Sequence, residues 1–196
     1  MTRFLAAIVA VTALTTVTAA PLRALPLQGT TSETLPWGQQ VELTVTIDTA
    51  ADVVTTTFIG PSDRWFDVGF GSMGRTNTTG YAIAGNGLVN EVSFPGLGSF
   101  TFLSPISIVE RNDVDAGVRT VVLTRPINAI SSFNFPTIET TIDLNFSASR
   151  FPTTGYAVDP SNRVGSSLTL TEVPEPATLL LAGAMAPALL LRRRAA

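Results

Sequence analysis

From Gln39 onward, apolar and polar residues alternate along the chain. Val41, Leu43, Val45 and Ile47 stand against Glu42, Thr44, Thr46 and Asp48, the period of two that places one face of a strand in a core and the other in water. Thr137–Phe146 repeats the pattern, with Ile138, Thr140, Ile142, Leu144 and Phe146 on one face. Val118–Arg125 and Ser166–Glu172 are built from valine, threonine and leucine, residues that suit a pleated, half-buried surface. Turn residues punctuate these runs at Gly60-Pro61-Ser62-Asp63, Gly85-Asn86-Gly87, Asp115-Ala116-Gly117 and Asp159-Pro160-Ser161-Asn162. No internal window longer than ten residues has helical spacing. Many short strands with regular turns predict an all-β protein, an antiparallel β-sandwich. Residues 20–38 read as a loose leader before the first strand, and residues 155–165 as a long surface loop.

The two ends depart from this pattern. Ala177 to Leu191 carries no charge, and Arg192, Arg193 and Arg194 follow at once. This predicts a C-terminal apolar anchor helix, shorter than the roughly 20 residues of a comfortable span, with its arginines held in the cytoplasm. A buried C-terminal helix of the folded domain is the alternative, and the unbroken apolar run with no amphipathic period argues against it. At the other end, Arg3, an apolar run from Phe4 to about Val17 and the small residues before Ala20 have the layout of a secretory signal peptide. The division predicted is 1–19 signal peptide, 20–38 leader, 39–172 β-sandwich and 173–196 sorting tail. Val173-Pro174-Glu175-Pro176, the apolar run and Arg192-Arg193-Arg194, in that order, resemble a PEP-CTERM sorting signal. The resemblance implies recognition by an exosortase, a membrane cysteine transpeptidase of exopolysaccharide-producing Gram-negative bacteria. It also implies cleavage near the Pro-Glu-Pro, transient anchoring in the inner membrane, and delivery to the cell surface or extracellular matrix.

Composition closes off much chemistry. The chain has no cysteine and no histidine, which removes thiol nucleophiles, Ser-His-Asp triads, thiolate metal sites and the usual zinc sites. Between residues 20 and 173, eight arginines face fourteen acidic residues. No basic field exists to attract nucleic acid.

The body carries a second resemblance. The run Asp63-Arg64-Trp65-Phe66-Asp67-Val68-Gly69-Phe70-Gly71-Ser72-Met73 is followed by Gly80-Tyr81-Ala82-Ile83, and later by Gly117 through Arg125-Pro126. This order, over about Val41 to Leu170, resembles the DOMON domain, a β-sandwich that binds haem or sugars. Haem-binding members hold iron between a Met and a His. Met73 stands at the methionine position, while Gly155-Tyr156-Ala157-Val158-Asp159, where the histidine would fall, has none. A thioether alone holds b-type haem poorly, and Tyr156 could serve only as an oxygen ligand in principle. No haem cofactor is therefore expected, and Met73 reads as a gap-filling core residue.

Trp37, Trp65, Tyr81 and Tyr156 are the side chains best suited to stack on sugar rings. Period two sets Trp65, Asp67 and Gly69 on the less hydrophobic face of their strand and Phe66, Val68 and Phe70 on the other. Trp37 reads as a lid at the sandwich rim. Arg119 and Arg125 share one strand face and either pair with acids across the sheet or line a polar ligand surface. Glu110–Gly117 reads as a solvated hairpin turn, since Asp113 and Asp115 lack the remaining calcium ligands. An Asp67–Glu91 carboxylate pair has no spacing that singles it out. The expectation is a non-catalytic DOMON-like domain that binds carbohydrate, in the setting of exopolysaccharide, through Trp65, Asp67, Tyr81, Arg119 and Arg125, with no metal. A structural matrix protein without a dedicated ligand is the alternative, and a b-type cytochrome module a more remote one.

Overall fold

A computed structural model describes residues 24–96, 99–129, 133–156 and 162–174. The signal peptide and nearly all of the sorting tail lie outside the described residues. Among those described, no helix is long and apolar enough to cross a membrane.

Eleven strands make up the described chain: β1 (Leu27–Thr34), β2 (Gln40–Asp48), β3 (Val53–Pro61), β4 (Phe66–Phe70), β5 (Thr78–Ile83) and β6 (Val89–Gly96) come first. β7 (Ser99–Phe102), β8 (Ile108–Asp115), β9 (Val118–Pro126), β10 (Thr140–Ala148) and β11 (Arg163–Glu172) complete them. All neighbours pair antiparallel, in the order β7-β6-β5-β4-β10-β11-β1-β2-β3-β9-β8. The sheet curls on itself into a sandwich. Phe58 of β3 meets Tyr81 of β5 across the interior, with ring centroids 5.3 Å apart.

The alternating residues fill that interior. Val41, Leu43, Val45 and Ile47 of β2 pack with Val121 and Leu123 of β9, and with Ile142, Leu144 and Phe146 of β10. Leu168 and Leu170 of β11 join them from the strand that links the two halves. The Asp115–Gly117 turn is as expected, with Ala116 and Gly117 at φ 47° and 82°.

Four expectations change, the first being the surface loop at 155–165, since Asn162 is buried and β11 begins at Arg163. The expected leader is not loose over its described residues, 24–38, because β1 lies there and hydrogen-bonds to both β2 and β11. Its sequence Gln28-Gly29-Thr30-Thr31-Ser32-Glu33 offers little apolar alternation; backbone pairing on both edges holds it instead. Glu110–Asp115 is an exposed edge strand rather than a turn. The strand expected from Thr137 begins at Thr140, leaving Ile138 exposed.

β4 is buried on both faces. Phe66, Val68 and Phe70 face the main core as period two predicts. The opposite face lies under the segment from Gly71 to Asn77, which crosses β10 and β11. The Asn145 amide donates to the Ser72 carbonyl at 3.2 Å, and Asn77 N–H donates to the Phe94 carbonyl at 2.7 Å. Glycine makes room here: a Cβ on Gly80 would lie 1.8 Å from the Val68 carbonyl oxygen, and one on Gly165 2.9 Å from that of Met73.

Candidate ligand cleft

One end of the sandwich gathers exposed aromatic and cationic side chains. The β1–β2 turn is closed by Gly38 N–H donating to the Leu35 carbonyl and Leu35 N–H to the Gln39 carbonyl, each at 2.8 Å. Gly38 sits at φ 81°, a backbone state that glycine adopts without strain. Trp37 therefore stands at the tip, 46% exposed.

Asn162, fully buried, fixes that turn to the neighbouring strand. Its Oδ1 accepts from Trp37 N–H at 3.3 Å, while its Nδ2 donates to Gln39 Oε1 at 3.0 Å and to the Ala148 carbonyl at 2.9 Å. Past Ala148 the chain leaves β10, held by Ser149 N–H to the Trp65 carbonyl (3.0 Å) and Thr153 N–H to the Asp63 carbonyl (2.9 Å). Arg64 adds a third tie, donating Nη1–H to the Arg150 carbonyl at 2.8 Å. The Arg150 guanidinium consequently lies 3.7 Å from the Trp37 ring centroid and 5.0 Å from that of Phe151. These residues, with Gln39 and Pro61, line an open cleft of about 440 Å³. A second cleft of about 540 Å³, lined in part by Glu33, Gln40 and Glu42, adjoins it through Gly38 and Pro61.

Charge in the first cleft is divided unequally. Arg64 Nε and Nη2 bond both carboxylate oxygens of Asp63 at 2.7 Å. That bidentate pair holds the Asp63 carboxyl below its usual range and the guanidinium above its own. Arg150 forms no ion pair among the described residues.

The five residues expected to form the ligand surface are placed inside. Trp65 is 1% exposed and Asp67 equally buried, both beneath the Gly71–Asn77 segment. Arg75 of that segment is fully buried, bonds Asp67 Oδ2 at 2.7 Å, and lies 4.5 Å and 5.8 Å from the Phe94 and Trp65 rings. Ser147 Oγ–H donates to Asp67 Oδ1 at 2.6 Å. Burial pushes the Asp67 carboxyl up to about 6, against the pull of Arg75 and Ser147. Alternation along β4 assigns the faces correctly, but it carries no sign that a segment further along the chain covers the polar one.

Tyr81 points into the sandwich, its hydroxyl 2.7 Å from Ser107 Oγ, and burial raises its pKa despite nearby Arg125. Ser107 Oγ–H in turn donates to Glu91 Oε1 at 2.6 Å, which also accepts from the Ile106 and Ser107 N–H groups at 2.9 and 2.7 Å. Glu91 thus pins the crossover from β7 to β8. It faces the interior while Asp67 faces the opposite side of the sheet, so the two carboxylates form no pair. Arg119 and Arg125 do share a face, the inward one. Arg119 donates to Asn112 Oδ1 at 2.7 Å and to the Gly85 carbonyl at 3.0 Å. Arg125 reaches the Phe133 carbonyl and lies 4.9 Å from the Phe135 ring. Among the described residues no cluster of three acidic side chains could hold a metal ion.

The available donors do not suit haem. Met73 is not a core residue: it is 55% exposed on the covering segment. The Tyr156 hydroxyl accepts from Asn90 Nδ2 at 2.6 Å and contacts the Leu88 carbonyl at 2.8 Å, and burial raises its pKa. It is a committed, protonated phenol. With no histidine or cysteine in the chain, these residues do not fit the Met–His pair. The interior between the sheets near Phe70 is filled by Tyr81, Phe133 and Phe135.

No protein-family model matches the chain, and no curated protein matches it either. Among solved structures, the fold is similar to the cytochrome b domain of pyranose dehydrogenase from Coprinopsis cinerea. The TM-score is 0.50 at 11% identity, over 66% of this chain and 76% of that one. The likeness supports a DOMON-like β-sandwich. At this identity it speaks to fold alone.

Proposed function

We propose that this is an exported, non-catalytic ligand-binding protein of the cell surface or extracellular matrix, sorted by an exosortase through its Pro-Glu-Pro tail. Its ligand is carbohydrate, taken up at the Trp37 cleft rather than at Trp65. The observation that carries this reading is the exposed Trp37–Arg150–Phe151 stack at the cleft. Apolar C–H faces of sugar rings pack on such aromatics, and hydroxyls bond the flanking donors. Haem binding, which similarity to a cytochrome b domain would suggest, has no matching ligand pair here.

The test uses the full chain in a sugar-free oxyethylene detergent, with co-sedimentation against an insoluble bacterial exopolysaccharide. Saturable binding that Trp37→Ala weakens at least tenfold, with an unchanged unfolding curve, supports the reading. Binding that ignores Trp37→Ala places the ligand elsewhere. No binding at all leaves a structural matrix protein. A Soret band after growth with added haem would revive the cytochrome reading.

A further inference from the structure

We infer that the ligand of the Trp37 cleft is acidic: a uronate-bearing polysaccharide whose carboxylates are bound by Arg150. This rests on the carbohydrate reading above and narrows its substrate class.

At 3.7 Å from the Trp37 centroid, the Arg150 guanidinium is too close for an edge-on approach, whose leading nitrogen would overlap the ring. The group therefore lies flat on the indole, with Phe151 on a flank. Stacking occupies the face of a guanidinium and leaves its N–H donors, which radiate in the plane, open to a partner. Those donors form a rigid fork that matches a carboxylate bidentately. Holding the side chain on a ring removes rotamer freedom before any ligand arrives.

The described residues of the cleft leave that fork free. Asp63, next to Arg64 in the chain, already has both oxygens on Arg64. Arg64 spends three of its five donors on Asp63 and the Arg150 carbonyl, so it positions Arg150 more than it offers charge. A net acidic chain, −3 overall, presents here an arginine with no counter-ion among the described residues. A cation whose charge is unmatched among the described residues, and which is pre-oriented in a cleft, is arranged for an anion from outside.

The adjoining cleft limits how that ligand lies. Glu33 and Glu42 line it, and they repel a polyanion. An acidic chain is thus expected to run over Trp37 and Phe151 and away from Gly38, instead of filling both clefts.

The experiment titrates the full chain, in the same detergent at low salt, with four probes: polygalacturonate, oligogalacturonates, neutral pullulan and dextran sulfate. Arg150→Gln keeps a flat group for stacking but removes the charge and the fork. Arg150→Lys keeps the charge alone. The expected result is polygalacturonate binding about tenfold tighter than pullulan, lost by tenfold or more in Arg150→Gln and little restored in Arg150→Lys. Oligogalacturonates should follow the polymer, and pullulan binding should stay within twofold in both variants. Equal affinity for pullulan and polygalacturonate, with Trp37 dependence intact, overturns the acidic assignment and keeps the carbohydrate reading. Dextran sulfate matching polygalacturonate, with Arg150→Lys as good as wild type, overturns it in favour of charge density alone. Binding of none of the four overturns both.

Discussion

Asp67 sets two effects against each other, and their balance is measurable. Its carboxylate is sealed from water, which disfavours the charge, while Arg75 at 2.7 Å and Ser147 at 2.6 Å favour it. Burial wins, and the folded pKa rises from 3.8 to about 6. Because the folded value lies above the unfolded one, the native state binds the proton more tightly in between. Stability from this group is therefore full below pH 4 and is lost as pH rises toward 6. The shift of about 2 units corresponds to about 3 kcal/mol at 1.36 kcal/mol per unit. Asp67→Asn keeps the shape and removes the titration. Urea unfolding followed by tryptophan fluorescence, from pH 4 to 7.5, gives the stability of each protein. Subtracting one from the other cancels every other titrating group, Asp63 included. Asp67→Asn should gain about 2.5 kcal/mol relative to wild type between pH 4 and 7.5, most of it below pH 6. A flat difference would show that the attraction of Arg75 and Ser147 cancels the cost of burial, leaving the folded pKa at its unfolded value. A difference of opposite sign would show that the attraction of Arg75 outweighs burial, and would refute the reasoning.

Other consequences follow from the same packing. Arg75→Met removes the attraction opposing burial, so the pH window of wild type should extend upward, above pH 6, in the same urea series. Gly80→Ala would set a methyl 1.8 Å from the Val68 carbonyl oxygen; with backbone unable to yield, a cost of about 3 kcal/mol or more is expected, read as a lower urea midpoint. Asn162→Ala strips partners from the Ala148 carbonyl and the Trp37 turn. It should cost about 1–3 kcal/mol in the same unfolding measurement, and the loosened tip should weaken polysaccharide co-sedimentation several-fold.

Local alternation determined a great deal by itself. β2, β9 and β11 were legible because each buries one face, so apolar residues recur at every second position along most of their length. The Asp115–Gly117 turn was legible from its own residues, and the face assignment along β4 held. β1 was hidden because its place is set by hydrogen bonds to β2 and β11, which a polar sequence makes as well as an apolar one. Trp65 and Asp67 could be assigned to a face but not to an environment, since their burial depends on Arg75 folding back across the sheet. Arg150 and Phe151 sit just past a strand end, where no periodicity marks them. The cleft joins Trp37 to Asn162, 125 positions away, and Arg64 to Arg150, 86 positions away. A strand's sequence records how much of itself is buried; which distant side chains share its rim is decided only when the sheet curls closed.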